Sequence, residues 1–263
     1  MIDYCIIAAG GHAKRFLPYS LTLPKEMLPL NGIPAIEFAI EECIQAGIKR
    51  IIIITRPNNY VIYNHLKFSK YQMFLTDKFT NKASIEILVI NEDENLLYGN
   101  AAPLLTVKSL LENKQFIVLF PDDIILGANP ISELLTFANK NTLSENDIVI
   151  SYQFVPYSDV HNYGNIDIGN DHEVVYIKQK PNTGITSNKV LVSRIILNDS
   201  IFNYINVAEN GELDLGLAIN SKLTNEPHSV FGCLITGEWI CIDTPEKYLI
   251  AQNKYDNYLR EVK

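Results

Sequence analysis

The sequence predicts an α/β fold in which a mostly parallel sheet, with helices on both faces, continues into a β-rich second half. Three observations carry this. Short apolar runs alternate with helical patterns from residue 4 to residue 120. The run 50–55 holds four consecutive isoleucines, as suits a strand covered on both faces. Beyond Asp147, strand-like segments are separated by Asn, Gly and Pro turns. Taken in order, residues 4–9 form a buried first strand that ends at Gly10-Gly11. Residues 12–32 contain Pro18, Pro24 and Pro29 without a sustained period, so they read as a long, ordered loop. Ile36, Ala39, Ile40, Cys43 and Ile44 then share one helical face, and Gly47 stops the helix. Helices near 60–68 and after Gly99, with strands at 85–90 and 116–120, continue the βαβ rhythm. In the second half, strands are expected at 148–154, 174–178, 190–196 and 229–236, with short helices near 201–205 and 215–223. Asp243-Thr244-Pro245-Glu246 reads as the start of a last helix, with Asp243 as its N-cap. No repeat, low-complexity stretch or flexible linker interrupts the chain. Residues 1–263 are therefore expected to form one domain of two halves, about 1–146 and 147–263.

Composition narrows the function. A formal net charge of -8 argues against a nucleic-acid partner held on a broad basic surface. A small anionic substrate stays possible if a few Lys and Arg side chains, or a divalent metal, supply a local positive field. Cys5, Cys43, Cys233 and Cys241 form no CxxC pair, which fits reduced structural thiols in a reducing compartment. The N-terminus lacks a basic stretch followed by an apolar one, and the apolar runs are far too short to span a bilayer. The expectation is a soluble cytoplasmic protein with no membrane partner.

Three constellations carry chemistry. The first is Ala9-Gly10-Gly11-His12-Ala13-Lys14-Arg15 followed by Pro24-Lys25-Glu26-Met27-Leu28-Pro29. Small residues after the first strand let backbone N–H groups approach a phosphate or base, and Lys14, Arg15 and Lys25 bring local positive charge. The spacing matches neither the P-loop nor GxGxxG, so a basic surface loop is the competing reading. The second is Leu119-Phe120-Pro121-Asp122-Asp123, at the end of an apolar strand, where open α/β sheets place their ligand crevice. A carboxylate there can hold Mg²⁺ or can simply cap the next segment. The third comprises Tyr163-Gly164, Gln179-Lys180-Pro181 and Ser187-Asn188, each by itself compatible with an ordinary turn.

Residues 5–55 closely resemble the opening of bacterial UTP–glucose-1-phosphate uridylyltransferases, which read A-G-x-G-T-R-x-L-P, then P-K-E-M-L-P, then K-P-x-I-E. The weaker resemblance continues to about Tyr248. It implies a Rossmann-like three-layer nucleotidyltransferase fold, with a nucleotide-binding first half and a sugar-binding, β-rich second half. It implies transfer of a nucleotidyl group, UMP from UTP, to a sugar 1-phosphate, glucose 1-phosphate, with release of pyrophosphate. By this resemblance Arg15 and Lys25 are catalytic phosphate-binding cations. Ala9, Gly10, Gly11, Lys14, Glu92 and Gly99 line the nucleotide. Tyr163, Gly164, Gln179, Lys180 and Asn188 serve the sugar phosphate. Asp122 and Asp243, the latter from a stretch like W-x-x-D-T-G-T-P-E, hold Mg²⁺, and Asp123 is scaffold. The resemblance also implies a homo-oligomer, dimer or tetramer.

Four positions depart from the family pattern: Ala13 for Gly, Lys14 for Thr, Asn100 for His, and Glu92 for a Gln that reads uracil. Gln179 further stands for a Glu. These departures leave three other expectations open: a different base or sugar preference, a catalytically weak or inactive nucleotide-sugar binder, and a glycosyltransferase using Asp122-Asp123 as a metal dyad. The P-K-E-M-L-P loop argues against the last, which has no triphosphate to grip.

Overall fold

The computed structural model describes residues 2–70 and 85–262. Its backbone is a nine-stranded mixed sheet. Strands β1 (Tyr4–Ala9), β4 (Arg50–Thr55), β5 (Glu86–Asn91) and β6 (Gln115–Leu119) run parallel in the order β6-β1-β4-β5. All but the ends of β1 and β4 are buried, which is why their sequences are apolar without alternation. Helices α1 (Ala35–Gln45), α2 (Val61–Phe68) and α3 (Ala102–Thr106) supply the crossovers of the first half.

The ten-residue strand β11 (Lys189–Asn198) joins the halves, pairing antiparallel with β6 through Arg194–Leu119 to Asn198–Gln115. Its other neighbours are β8 (Ile148–Phe154) and β9 (Gly164–Ile168). Beyond them lie β10 (Val174–Gln179), antiparallel to β9, and β12 (Val230–Leu234), parallel to β8. Two apolar clusters cover the sheet, one on each face: Ile6, Ile52 and Phe116 belong to one, Cys5, Ile7 and Ile53 to the other. That division is the period-two alternation of side chains along a strand. Helix α4 (Pro130–Lys140) packs beside α1, and between them the Glu42 carboxylate receives three hydrogen bonds from Arg194, at 2.6–3.2 Å. Helix α5 (Leu215–Asn225) packs on β10.

Residues 12–32, expected as a long ordered loop, are compact. Three one-turn 3-10 helices, Lys14–Phe16, Tyr19–Leu21 and Lys25–Met27, lead to a two-residue strand pair, β2 (Pro29–Leu30) with β3 (Ile33–Pro34). Phe16 and Met27 are buried and anchor the segment. The helix expected near 201–205 is a 3-10 turn, Asp199–Asn203, too short to complete an α-helical ladder. A separate ribbon pairs β7 (Asp123–Leu126) with β13 (Glu238–Cys241), and the last helix, α6 (Pro245–Glu261), follows it. The N-cap of α6 is Thr244, whose hydroxyl accepts from the Lys247 N–H at 3.2 Å; Asp243, expected there, stands one residue outside the helix. Its carboxylate is thereby free for other work. No helix among the described residues is long and apolar enough to cross a membrane.

Candidate active site

The carboxyl ends of β6, β1, β4 and β5 open on a crevice, as the parallel order requires. Two cavities lie in it, one of about 180 Å³ on the β1–β5 side and one of about 310 Å³ towards β9, β10 and α5. Phe120, Asp122 and Asn100 line both, so Asp122 stands at their junction.

The junction is dense in charge. Lys25 Nζ donates to Asp122 Oδ2, and both side chains are largely buried. Burial works against the lysine's charge, but Asp122 and Glu26 outweigh it and hold the ammonium above its ordinary range. Pairing of Cys241 with Asp123, and the 2.8 Å hydrogen bond from Ile242 N to the Asp122 carbonyl, carry Asp243 to the same place from the far end of the chain. Asp243 Oδ2 accepts from Arg15 Nη1 at 2.8 Å, while its Oδ1 lies 2.9 Å from Lys247 Nζ. Burial alone would raise the Asp243 carboxyl, but Lys247 and Arg15 outweigh it and hold the group below the usual range, so it is ionised. Its Oδ1 is buried and makes an ion pair without a hydrogen bond. Two carboxylates on adjoining backbone, Asp243 with one oxygen held by an ion pair alone, suit a cation that takes only one or two protein carboxylates. Among the described residues no group of three or more His, Cys, Asp or Glu side chains is placed to hold a metal ion, here or elsewhere. Asp123 also borders the larger cavity, but its carboxylate is engaged, accepting from Ser193 Oγ at 2.5 Å and from Trp239 Nε1 at 2.9 Å.

In the smaller cavity, Gly10, Gly11, Glu92 and Gly99 lie on the wall with Lys25. Gly99 has φ 154°, and a Cβ there would come within 2.1–2.7 Å of the Leu213 backbone. The backbone contact is cemented by Leu213 N to Tyr98 O at 2.9 Å and Ala101 N to Leu213 O at 3.1 Å. Asn100 accepts from Leu215 N at 2.6 Å and so ties this loop to the start of α5. Ala9 is not on the wall. Along β1 its side chain follows Cys5 and Ile7 into the core, and Ala8, one residue earlier, faces the cavity instead. Lys14 also stands off, its ammonium 5.9 Å over the Tyr98 ring. Glu26 is a residue that the sequence did not single out: it is 1% exposed, lines this cavity, and leaves Oε2 without a hydrogen bond. Burial pushes its carboxyl up to about 7.

The larger cavity gathers Tyr163, Gly164, Gln179 and Lys180 with Asp122 and Asp243. Tyr163 lies 4.9 Å from the Trp239 ring, and the Lys247 ammonium sits 4.9 Å over the tyrosine's own ring. Lys180 adopts the left-handed conformation, φ 43°, with its N–H bonded to Tyr163 O at 3.0 Å. The Gln179 amide crosses the start of α5 so closely that a Cβ at Gly216 would fall 1.9 Å from Nε2. Asn188 lies off the cavity, donating to Val155 O at 3.2 Å to fasten the end of β8. Lys247, like Glu26, was not singled out from the sequence; one turn after Asp243, it becomes visible only once Asp243 is known to lie outside the helix.

Comparison with known proteins gives one consistent picture. The family model described as nucleotidyl transferase matches residues 4–257. A UTP–glucose-1-phosphate uridylyltransferase of Staphylococcus epidermidis is 33% identical over 240 residues, covering 84% of this chain and 82% of the relative. That of Staphylococcus haemolyticus is 32% identical over 243 residues, covering 86% and 83%. Among solved structures, a UDP-glucose pyrophosphorylase complexed with UDP-glucose superposes with a TM-score of 0.83 at 23% identity, over 98% of this chain and 99% of the other. A UTP-bound enzyme of Acinetobacter baumannii gives 0.79 at 24% identity, over 97% and 93%. At such identities the structural likeness speaks for the fold alone.

Proposed function

The chain belongs to the nucleotidyl transferase family, and we propose that within it the chain transfers uridylyl from UTP to glucose 1-phosphate. A phosphate oxygen of the sugar phosphate attacks the α-phosphorus of UTP. One P–O bond forms, the bond from the α-phosphorus to the α–β bridging oxygen breaks, and pyrophosphate leaves with that electron pair. No covalent intermediate on the protein is required. The observation that carries the reading is the sharing of Asp122 between two cavities, with Lys25 on one side and Asp243 on the other. Two anions brought in line at that junction repel each other, and the need is for cations held in place rather than for a strong base.

Lys25 and Arg15 supply fixed positive charge there, and Lys180 and Lys247 supply it on the sugar side. Tyr163 and Gln179 offer the sugar a ring face and an amide. Asp122 and Asp243 would hold a divalent cation, Mg²⁺ in this proposal, whose chemistry is to neutralise phosphate charge. The substrates and the four free thiols fit work in the cytoplasm. The test is pyrophosphate release with Mg²⁺, UTP and glucose 1-phosphate. Release that needs all three supports the reading. Tight binding of UTP and UDP-glucose with no release under any nucleotide and sugar-phosphate pair would turn it over in favour of a binding protein.

A further inference from the structure

The strand order gives the small cavity a direction. Asp122 follows β6 and Glu92 follows β5, with β1 and β4 between them. Three strand spacings of about 4.8 Å separate these ends by about 14 Å, a span comparable with that from the α-phosphate to the base edge of a nucleotide. With the phosphates at Lys25 and Asp122, the base end is the Glu92 end. Gly10 makes room for the carboxyl: a Cβ there would sit 2.3 Å from Glu92 Oε2. The Glu92 side chain makes no hydrogen bond or ion pair among the described residues, so its pairing capacity is left for a ligand.

We infer that Glu92 selects the base through its protonation state, favouring uridine when protonated and tolerating guanosine when ionised. The inference rests on the nucleotidyl-transfer reading of the site. A protonated carboxyl presents one O–H donor beside one carbonyl acceptor, which complements the O4 acceptor and N3–H donor of uracil. The carboxylate only accepts. It repels O4 and matches the adjacent N1–H and N2–H₂ donors of guanine. Burial pushes the Glu92 carboxyl up to about 7, so the change falls at neutral pH.

Other charged groups face the same space. His12, Arg56, Asp93 and Glu94 line an outer cavity of about 410 Å³ that shares Glu92; Lys25, Glu26 and Asp122 line the inner one, and Tyr98 lines both. Burial, with Arg56 and Lys14, holds the His12 ring below its ordinary range. Glu26, also raised to about 7, is the rival titrating group.

The experiment measures kcat/KM for UTP and for GTP with glucose 1-phosphate from pH 6 to pH 8, in the wild type, Glu92→Gln and Glu26→Gln. The two triphosphate chains titrate alike, so their ratio isolates the base. The expected result is a UTP:GTP ratio that falls about tenfold as pH rises in the wild type and in Glu26→Gln, the scale of one mispaired buried polar group. In Glu92→Gln the ratio stays high and flat. A wild-type ratio independent of pH overturns the inference, as does a slope that survives Glu92→Gln and vanishes in Glu26→Gln. Absence of turnover with every nucleotide at every pH would instead strike the underlying reading. Nucleotide affinities, measured without sugar phosphate, give the same ratio independently of turnover.

Discussion

Two sets of ion pairs in this molecule are built from the same groups and serve opposite ends. Glu42 and Arg194 are buried, joined by three hydrogen bonds that bind α1 to β11. Asp243 and Arg15 meet at the cleft, where the arginine side chain is 58% exposed and the contact is a single hydrogen bond of 2.8 Å. Opening the first pair leaves the Arg194 guanidinium, 1% exposed, without its counter-charge. Opening the second returns a guanidinium to solvent, which costs little. The closed pair holds two elements together; under the proposed function the open one leaves Arg15 available to exchange onto a ligand's phosphate.

The comparison is broken most severely from its closed side. Glu42→Ala should destabilise the fold by about 3–5 kcal/mol, because Arg194 stays buried without a counter-charge. Urea unfolding measures it, and turnover per folded molecule should remain near that of the wild type. A loss below about 1 kcal/mol, the range of surface pairs, would remove the distinction between the two sets. From the open side the effects should fall on turnover. Asp122→Asn and Asp243→Asn should each lower kcat by at least ~100-fold with the fold retained by circular dichroism. Each loses a cation ligand while leaving its lysine in place. Near-normal turnover of both variants at low Mg²⁺ would sink the carboxylate pair as a metal site.

Arg15 sharpens the comparison further. If its guanidinium leaves Asp243 to grip two phosphate oxygens, Arg15→Lys should lose about tenfold in kcat/KM for UTP and approach Arg15→Ala, since an ammonium cannot reproduce the fork. A Lys variant with full activity would mean that only charge matters there.

The first half of the fold was more legible than the second for a physical reason. Parallel strands buried on both faces leave continuous apolar runs, such as Ile51 to Ile54, which composition alone reveals. Strand β9 is short, carries Asn165 and Asp167, and resembles a turn until β10 and β11 are beside it. Helix α4 did leave a signal that went unread: Asn129 precedes Pro130 and caps Ser132 N at 2.9 Å, the start pattern of a helix. At the candidate site, Lys25 stands out by its P-K-E-M-L-P surroundings and Asp122 by its place after an apolar strand, whereas Tyr163 and Lys180 stand out only by the family resemblance and their order along the chain. Glu26 does not stand out, because an acid within a basic loop reads as surface and only the fold reveals that it is 1% exposed. The Ala9 side chain lies in the core and that of Ala8 on the cavity, since in a strand one residue exchanges the cleft for the core.

The smallest expected effect concerns Ala13, one of the departures from the glycine-rich pattern. It precedes the 3-10 turn Lys14–Phe16 and adopts φ 47°, ψ 44°, a left-handed conformation. Its carbonyl accepts from Phe16 N at 2.9 Å, so the turn depends on that conformation being kept. For a residue with a Cβ the left-handed region costs roughly 1–2 kcal/mol, and glycine removes that strain. Glycine also makes the unfolded chain freer, which returns about 0.4–1 kcal/mol against folding. The difference leaves Ala13→Gly more stable by about 0.5 kcal/mol, readable as a small rise in the urea midpoint with an unchanged slope. A drop of the same size would mean that the entropy of the unfolded chain outweighs the strain, which would then lie below the usual left-handed cost. A shift larger than about 2 kcal/mol in either direction exceeds what a single left-handed residue can store, and would show that the turn at Lys14–Phe16 rearranges when the methyl group is removed.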